Sequence, residues 1–241
     1  MQAVIMVGGS GIRLRPFTYV IPKPLLPLGN ETLLENMIRS LKDSGFDEIF
    51  LMTSYQHEKF NQCYEYEERY GVKVNICREK EKMGTAGGII SLRERLDDDF
   101  LVLNGDLIVK MDFLDMFKHH RDNKADITIG VTKFNYRLPY SVVEFDGNDR
   151  LTEISEKPTQ TFVVNSGIYV LNSSILELLR KPGYLDMPGL ISLAKDQGKK
   201  IIRFDIGSRW LDMGHLEDYE RAVDVIEAWN RDFIQFARKT G

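Results

Sequence analysis

Short apolar runs alternate with amphipathic segments over the first hundred residues, and this alternation restricts the chain to few folds. Gln2–Val7, Glu48–Thr53, Val72–Cys77 and Phe100–Asn104 read as strands. Glu31–Ser44 has helical periodicity, with Asn30 placed to cap its start and Gly45 to stop its end. A polar helix is expected after Thr53 through about Arg69, and another over Gly87–Leu96. Strands joined through helices run parallel, because the crossover returns each strand to the same edge. The expectation is an α/β fold with a Rossmann-like, mixed, mainly parallel sheet and helices on both faces.

The second half changes character. Asp126–Lys133, Ser141–Phe145, Leu151–Ser155, Ile168–Leu171 and Lys200–Asp205 read as strands, with Asp146-Gly147-Asn148 as a turn. Helices are expected around His119-His120, over Ser174–Leu179 and Pro188–Gln197, and through most of His215–Arg238. Trp229 and Phe233 on that last helix would dock on the chain's own core or on a second subunit. With no repeat and no linker, residues 1–241 are expected as one domain. Its halves are about 1–110 and about 111–228, and residues 229–241 form the end of the last helix.

The 241 residues are 43% hydrophobic and 28% charged, as in an ordinary globular protein. Thirty-two basic and 36 acidic residues leave a formal charge of −4, which offers no general attraction to nucleic acid or to an anionic membrane. An anionic ligand must then be held by a local cluster of cations. No stretch approaches the roughly 20 apolar residues that span a bilayer, and the N-terminal apolar run is too short for a secretory signal. Cys63 and Cys77 lack metal spacing and read as partly buried thiols in a reducing cytoplasm.

The first chemical feature is Gly8-Gly9-Ser10-Gly11-Ile12-Arg13-Leu14-Arg15-Pro16, at the carboxyl end of the first strand. Open α/β sheets bind ligands there. Adjacent glycines let backbone N–H groups approach a phosphate, and Arg13 adds a charged fork of donors. The dinucleotide fingerprint fails, since its last glycine would fall on Leu14, and the P-loop lysine is missing. Ile21-Pro22-Lys23-Pro24-Leu25-Leu26-Pro27 follows, where prolines stiffen the chain around Lys23. Taken alone, the first segment is ambiguous between a phosphate loop and a tight turn, and the second reads rather as a Pro-rich surface loop with a solvated lysine.

Together these segments resemble the sugar-1-phosphate nucleotidyltransferase family, whose pattern is a G-G-x-G-T-R-L-x-P loop followed by P-K-P. Further matches come in order: Gly84-Thr85-Ala86-Gly87-Gly88, Asn104-Gly105-Asp106, Glu156-Lys157-Pro158, Asn165-Ser166-Gly167-Ile168-Tyr169 and Trp210-Leu211-Asp212-Met213-Gly214. The resemblance runs from Gln2 to about Ala228 and implies the nucleotide-diphospho-sugar transferase fold, with a nucleotide-binding first half and a sugar-phosphate-binding second half. It implies that Arg13 and Lys23 are catalytic, clamping the triphosphate. It implies that Val7, Gly8, Gly9, Ser10, Gly11, Glu79, Gly84, Thr85 and Asn104 bind the nucleotide. Tyr140, Ser141, Glu156, Lys157 and Asn165 are implied at the sugar phosphate, and Asp106 and Asp212 as ligands of Mg2+. Two positions depart from the pattern: Ile12 replaces the usual threonine, and Ser141 replaces a glycine near the sugar.

The implied reaction needs no general base, because a phosphate monoester with a second pKa of about 6 is already dianionic at neutral pH. The barrier is electrostatic, since two unit charges 4 Å apart interact by about 4 kcal/mol at an effective dielectric of 20. The four histidines, His57, His119, His120 and His215, have no spacing that suggests a metal or a catalytic pair and read as structural or solvated. Glu79 stands where thymidylyl- and uridylyl-transferring relatives often carry glutamine. A carboxylate only accepts, and guanine offers adjacent N1–H and N2–H donors, which favours GTP. The nearest types are the bacterial guanylyltransferases of glucosamine 1-phosphate (legionaminic acid pathway) or heptose 1-phosphate, serving cell-surface glycans. Neither a regulatory CBS pair nor a C-terminal β-helix is expected. The alternatives are a uridylyl- or thymidylyltransferase on glucose 1-phosphate and a catalytically silent nucleotide-sugar sensor. Homo-oligomers are allowed; nucleic acid and membrane are not expected partners.

Overall fold

A computed structural model describes residues 1–79, 81–179, 183–222, 224, 225 and 229. In chain order the elements are β1 (Gln2–Met6), β2 (Pro27–Leu28), β3 (Glu31–Thr32), α1 (Leu33–Asp43), β4 (Glu48–Thr53), α2 (Glu65–Tyr70), β5 (Lys73–Arg78), α3 (Gly84–Gly87), β6 (Asp99–Asn104), β7 (Leu107–Val109), α4 (Phe113–Asp122), β8 (Ile127–Arg137), β9 (Val142–Phe145), β10 (Leu151–Ser155), β11 (Thr159–Asn172), α5 (Met187–Asp196), β12 (Ile201–Asp205) and β13 (Trp210–Asp212).

Seven strands form one sheet in the order β12-β8-β11-β6-β1-β4-β5. The β1–β4, β1–β6, β4–β5 and β8–β12 pairs are parallel, and β11 runs antiparallel to both β6 and β8. Successive side chains of each central strand feed opposite layers. Ala3, Ile5, Leu101, Leu103, Ile168 and Val170 face one layer, closed by α1 and α4. Val4, Phe100, Val102, Tyr169 and Leu171 face the other, closed by α3 and α5. Burial on both faces explains why these strands read as continuous apolar runs rather than as alternating ones.

Several boundaries differ from the sequence reading. Helix α1 is capped by Thr32, whose Oγ1 accepts from Glu35 N at 3.0 Å, because Asn30 lies in the turn joining β2 to β3. The polar segment before Arg69 is a 3-10 stretch, His57–Tyr64, that becomes α-helical only from Glu65. The segment read as a helix over Gly87–Leu96 is one α-turn, α3, continued by a 3-10 turn over Gly88–Leu92. Ser173–Leu178 is likewise 3-10. The expected Ile168–Leu171 is the inner end of the 14-residue β11, whose outer end pairs with β8 as far as Arg137. This long pair shifts register between Asn165 and Tyr169 and leads to the β9–β10 hairpin, turned by Asp146 accepting from Asn148 N and Arg150 N.

Residues 216–222 are helical, and Trp229 packs beside Leu28, Leu33 and Met213 on the chain's own core. Phe233 lies outside the described residues. Cys63 is fully buried, which pushes its thiol up to about 12, while Cys77 is half-buried. Among the described residues no helix is long and apolar enough to cross a membrane.

Candidate active site

Parallel strands β1 and β6 end side by side, and the loops leaving them floor a cleft of about 480 Å3. From β1 come Val7, Gly8, Gly9, Ser10 and Gly11, followed by Ile12 and Arg13 on a 3-10 turn anchored by buried Leu14. From β6 come Asn104, Gly105 and Asp106. Gly105 N donates to Met6 O at 2.9 Å, and a Cβ there would sit 2.6 Å from Val7 Cγ1, so only glycine lets the Asp106 loop cross the end of β1 this closely.

Lys23 heads a short 3-10 turn and is buried, although a lysine is usually exposed. Its Nζ lies 2.6 Å from Asp106 Oδ2. Asp212 reaches the same place from the far end of the chain. Strand β13 pairs antiparallel with β7, setting Asp212 opposite Leu107, and Met213 N donates to Asp106 O at 3.0 Å. Trp210 Nε1, donating to Ser166 O at 2.9 Å, anchors that strand. Burial pushes the Asp212 carboxyl above the usual carboxylate range, and the Asp106 charge adds to this, while Lys23 and Arg13 act against it. Asp212 Oδ1 is buried without a hydrogen-bond partner. Two adjacent carboxylates with an unmatched buried oxygen form a donor set that fits a hard divalent cation. Among the described residues no third acidic, histidine or cysteine side chain joins them. That suits Mg2+, which takes one or two carboxylates and fills its octahedron with water and substrate phosphate.

At the other end of the cleft Glu79 follows β5, its N donating to Thr53 O at 2.8 Å. Its Oε1 is buried without a partner, and burial raises its carboxyl above the usual range. The carboxylate lies so close to Gly88 that a Cβ there would be 1.7 Å from Oε1. Gly84 and Thr85 line the cleft, but the Thr85 hydroxyl accepts from Met187 N at 2.8 Å and so caps α5.

The structure separates the expected sugar-phosphate residues. Asn165 sits at the β11 irregularity, where its amide donates to Tyr169 OH and its Oδ1 accepts from Gly167 N; Gly167 in turn packs against the Asn104 amide. Tyr140, Ser141, Glu156 and Lys157 stand exposed on the arm around β9 and β10 and do not line the cleft. Ser141, the replacement for glycine, donates through Oγ to Glu156 Oε2, and Lys157 Nζ lies 3.9 Å from Glu156 Oε1. Ile12, the replacement for threonine, is 61% exposed at the cleft mouth.

Some lining residues were not expected at the cleft. Tyr184 and Asp186 arrive because Leu185 N donates to Met83 O while Leu185 O accepts from Ala86 N and Gly87 N, which stitches two distant loops together. His215 Nε2 lies 3.2 Å from Arg13 Nη1. The other histidines are structural. His57 Nδ1 meets Thr53 Oγ1, His119 packs on Phe204, and buried His120 meets Thr128 Oγ1.

The fold and this cleft define a protein of the nucleotide-diphospho-sugar transferase fold. HddC from Yersinia pseudotuberculosis shares it, at a TM-score of 0.73 and 25% identity over 92% of this chain and 98% of that one. A family model described as nucleotidyl transferase matches residues 2–228, and the chain belongs to that family. A mannose-1-phosphate guanyltransferase from Yarrowia lipolytica is 35% identical over 228 residues, and the catalytic subunit beta of a mannose-1-phosphate guanylyltransferase from Danio rerio is 33% identical. Each match covers 91% of this chain and 62% of that protein, so the chain spans under two thirds of these relatives' length.

Proposed function

We propose that the chain transfers a guanylyl group from GTP to a sugar 1-phosphate and releases pyrophosphate, with Mg2+ held by Asp106 and Asp212. The observation that carries this is the juxtaposition of Lys23, Asp106 and the unpartnered Asp212 carboxylate beside the glycine-rich loop. A phosphate oxygen of the sugar phosphate forms a bond to the α-phosphorus, and the bond from that phosphorus to the bridging oxygen breaks, so pyrophosphate departs with its electron pair. Bound Mg2+ supplies charge neutralisation on the phosphate oxygens. Arg13 and Lys23 bind the triphosphate and orient the α-phosphoryl group, lowering the repulsion between two polyanions. Val7–Gly11 follow the phosphates with backbone N–H groups, while Gly84, Thr85 and Asn104 border the nucleoside. On this reading Asn165 and, on the exposed arm beyond the cleft lining, Tyr140, Ser141, Glu156 and Lys157 serve the sugar phosphate, with Lys157 as its cation.

Glu79 supports guanine. A carboxylate oxygen buried without a partner is costly, and paired N–H donors on one base edge would satisfy this group. Relatives named as guanylyltransferases agree with that base. Their names carry mannose 1-phosphate, a sugar to set beside hexosamine and heptose 1-phosphates. The test is pyrophosphate release with GTP, UTP and dTTP against mannose, glucosamine, heptose and glucose 1-phosphates, with and without Mg2+. GTP should lead and Mg2+ should be required. Release of no pyrophosphate from any pair would sink the activity, and faster turnover with UTP or dTTP would sink the guanine assignment.

A further inference from the structure

Arg13 and Lys23 share a task but are held in different ways. Lys23 is buried and paired with a carboxylate. Arg13 is exposed, on a three-residue turn, with the several free rotors of a long side chain. A cation left free to wander must be immobilised each time substrate binds, which weakens binding by the lost rotamer entropy.

Among the described residues, one hydrogen-bonding contact restrains it. Arg13 Nη1 lies 3.2 Å from His215 Nε2, and the guanidinium rests on Gly214, where a Cβ would be 3.3 Å from Nη1. A guanidinium has five donors and no acceptor. The contact therefore requires Nε2 to offer its lone pair, with the imidazole neutral and its proton on Nδ1. His215 is itself fixed: its backbone N donates to Asp218 Oδ2 at 2.9 Å, and its O accepts from Tyr219 N. It stands three residues beyond Asp212, at the head of the helix that follows β13. The segment that delivers one acidic ligand to the cleft thus also supplies the acceptor that aims the arginine.

We propose that His215 is a positioning residue: through an unprotonated Nε2 it holds the Arg13 guanidinium over the phosphate-binding loop, leaving the remaining N–H donors for the polyphosphate. The proposal rests on the triphosphate-binding reading of this cleft. It adds a specific dependence, in which His215 acts on the ligand only through Arg13.

Calorimetric binding of GTP and of inorganic tripolyphosphate, each with Mg2+, tests this on wild type, His215→Ala, His215→Gln, Arg13→Ala and the Arg13→Ala/His215→Ala double variant. Losing one charge-assisted hydrogen bond should weaken both ligands about 10-fold in His215→Ala. Glutamine, which keeps an acceptor oxygen, should restore most of that loss. His215→Ala should add nothing once Arg13 is alanine. In kinetics the His215→Ala effect should fall on KM for the triphosphate and leave KM for the sugar phosphate in place. Nitrogen-15 NMR of the wild type should show Nδ1 protonated and Nε2 bare.

Additive losses in the double variant, or a proton on Nε2, would overturn the positioning role and leave the proposed reaction standing. Polyphosphate binding with full coupling between the two residues, but no turnover with any sugar phosphate, would overturn the reaction and leave the positioning role standing.

Discussion

Lys23 and Asp106 form one charged unit, and each is expected to matter for chemistry more than for folding. The pair is 2.6 Å apart at the edge of the cleft, where water still reaches the carboxylate. Lys23→Ala or Asp106→Asn should cut pyrophosphate release by about 10²–10³-fold, the usual loss when one group stabilising transition-state charge is removed. Circular dichroism should show the fold retained, and unchanged turnover in either variant would refute its role. Glu79 makes a second prediction. Burial raises its carboxyl in the folded state, so the native protein holds the Glu79 proton more tightly than the unfolded chain. Stability from this source is complete below the ordinary glutamate value and is lost as pH rises through the raised one. Glu79→Gln should therefore melt higher than wild type by a margin that widens as pH rises above the ordinary glutamate range. The variant should also lose its preference for GTP. A constant margin would sink the burial argument. Gly88→Ala, placing a Cβ 1.7 Å from Oε1, should displace the carboxylate and reproduce the nucleotide phenotype. Glu79 could be singled out in the sequence by its distance from Gly84. Its contact with Gly88 could not, because it depends on where the end of β5 meets the turn after α3.

Among the elements, β13 has the largest effect for its size. Three residues paired with β7 bring Asp212 across a sequence gap of more than a hundred residues to Asp106. Short strands hold few ladder bonds, so the Trp210 Nε1 bond to Ser166 O carries a large share of the anchoring. Trp210→Phe keeps an aromatic ring of smaller size and removes this donor. It should cost about 1 kcal/mol in urea unfolding and raise the Mg2+ needed for half-maximal turnover. An unchanged Mg2+ titration would show that β13 is held without the indole N–H. Neither β7 nor β13 was expected, since a three-residue strand has no readable period. Three of the four first-half strands were legible because both faces are buried and their runs are largely apolar, and β5, at the sheet edge, because apolar and polar residues alternate along it. The outer half of β11 was not, because exposed Phe162 and Val163 have no alternating core to announce them.

The whole molecule places cations, carboxylates and glycine loops at the carboxyl ends of the central strands of one sheet, and ligand binding should therefore stabilise it as a unit. GTP with Mg2+ at about 100 times its Kd should add about 2.7 kcal/mol to unfolding free energy by mass action. Removing Mg2+ with a chelator should abolish most of that gain, and a melting temperature indifferent to both would count against the cleft as the binding site. The sequence by itself determined the layered α/β architecture, since period and burial act locally. It also marked Arg13, Lys23, Glu79, Asp106 and Asp212, through the ordered motifs by which the chain resembles the nucleotidyltransferase family. Only the tertiary structure decided that Asp212 sits beside Asp106, that Tyr184 enters the cleft and that His215 holds Arg13. Those contacts join residues far apart in the chain, and their geometry follows from strand pairing and packing, which no spacing along the sequence encodes.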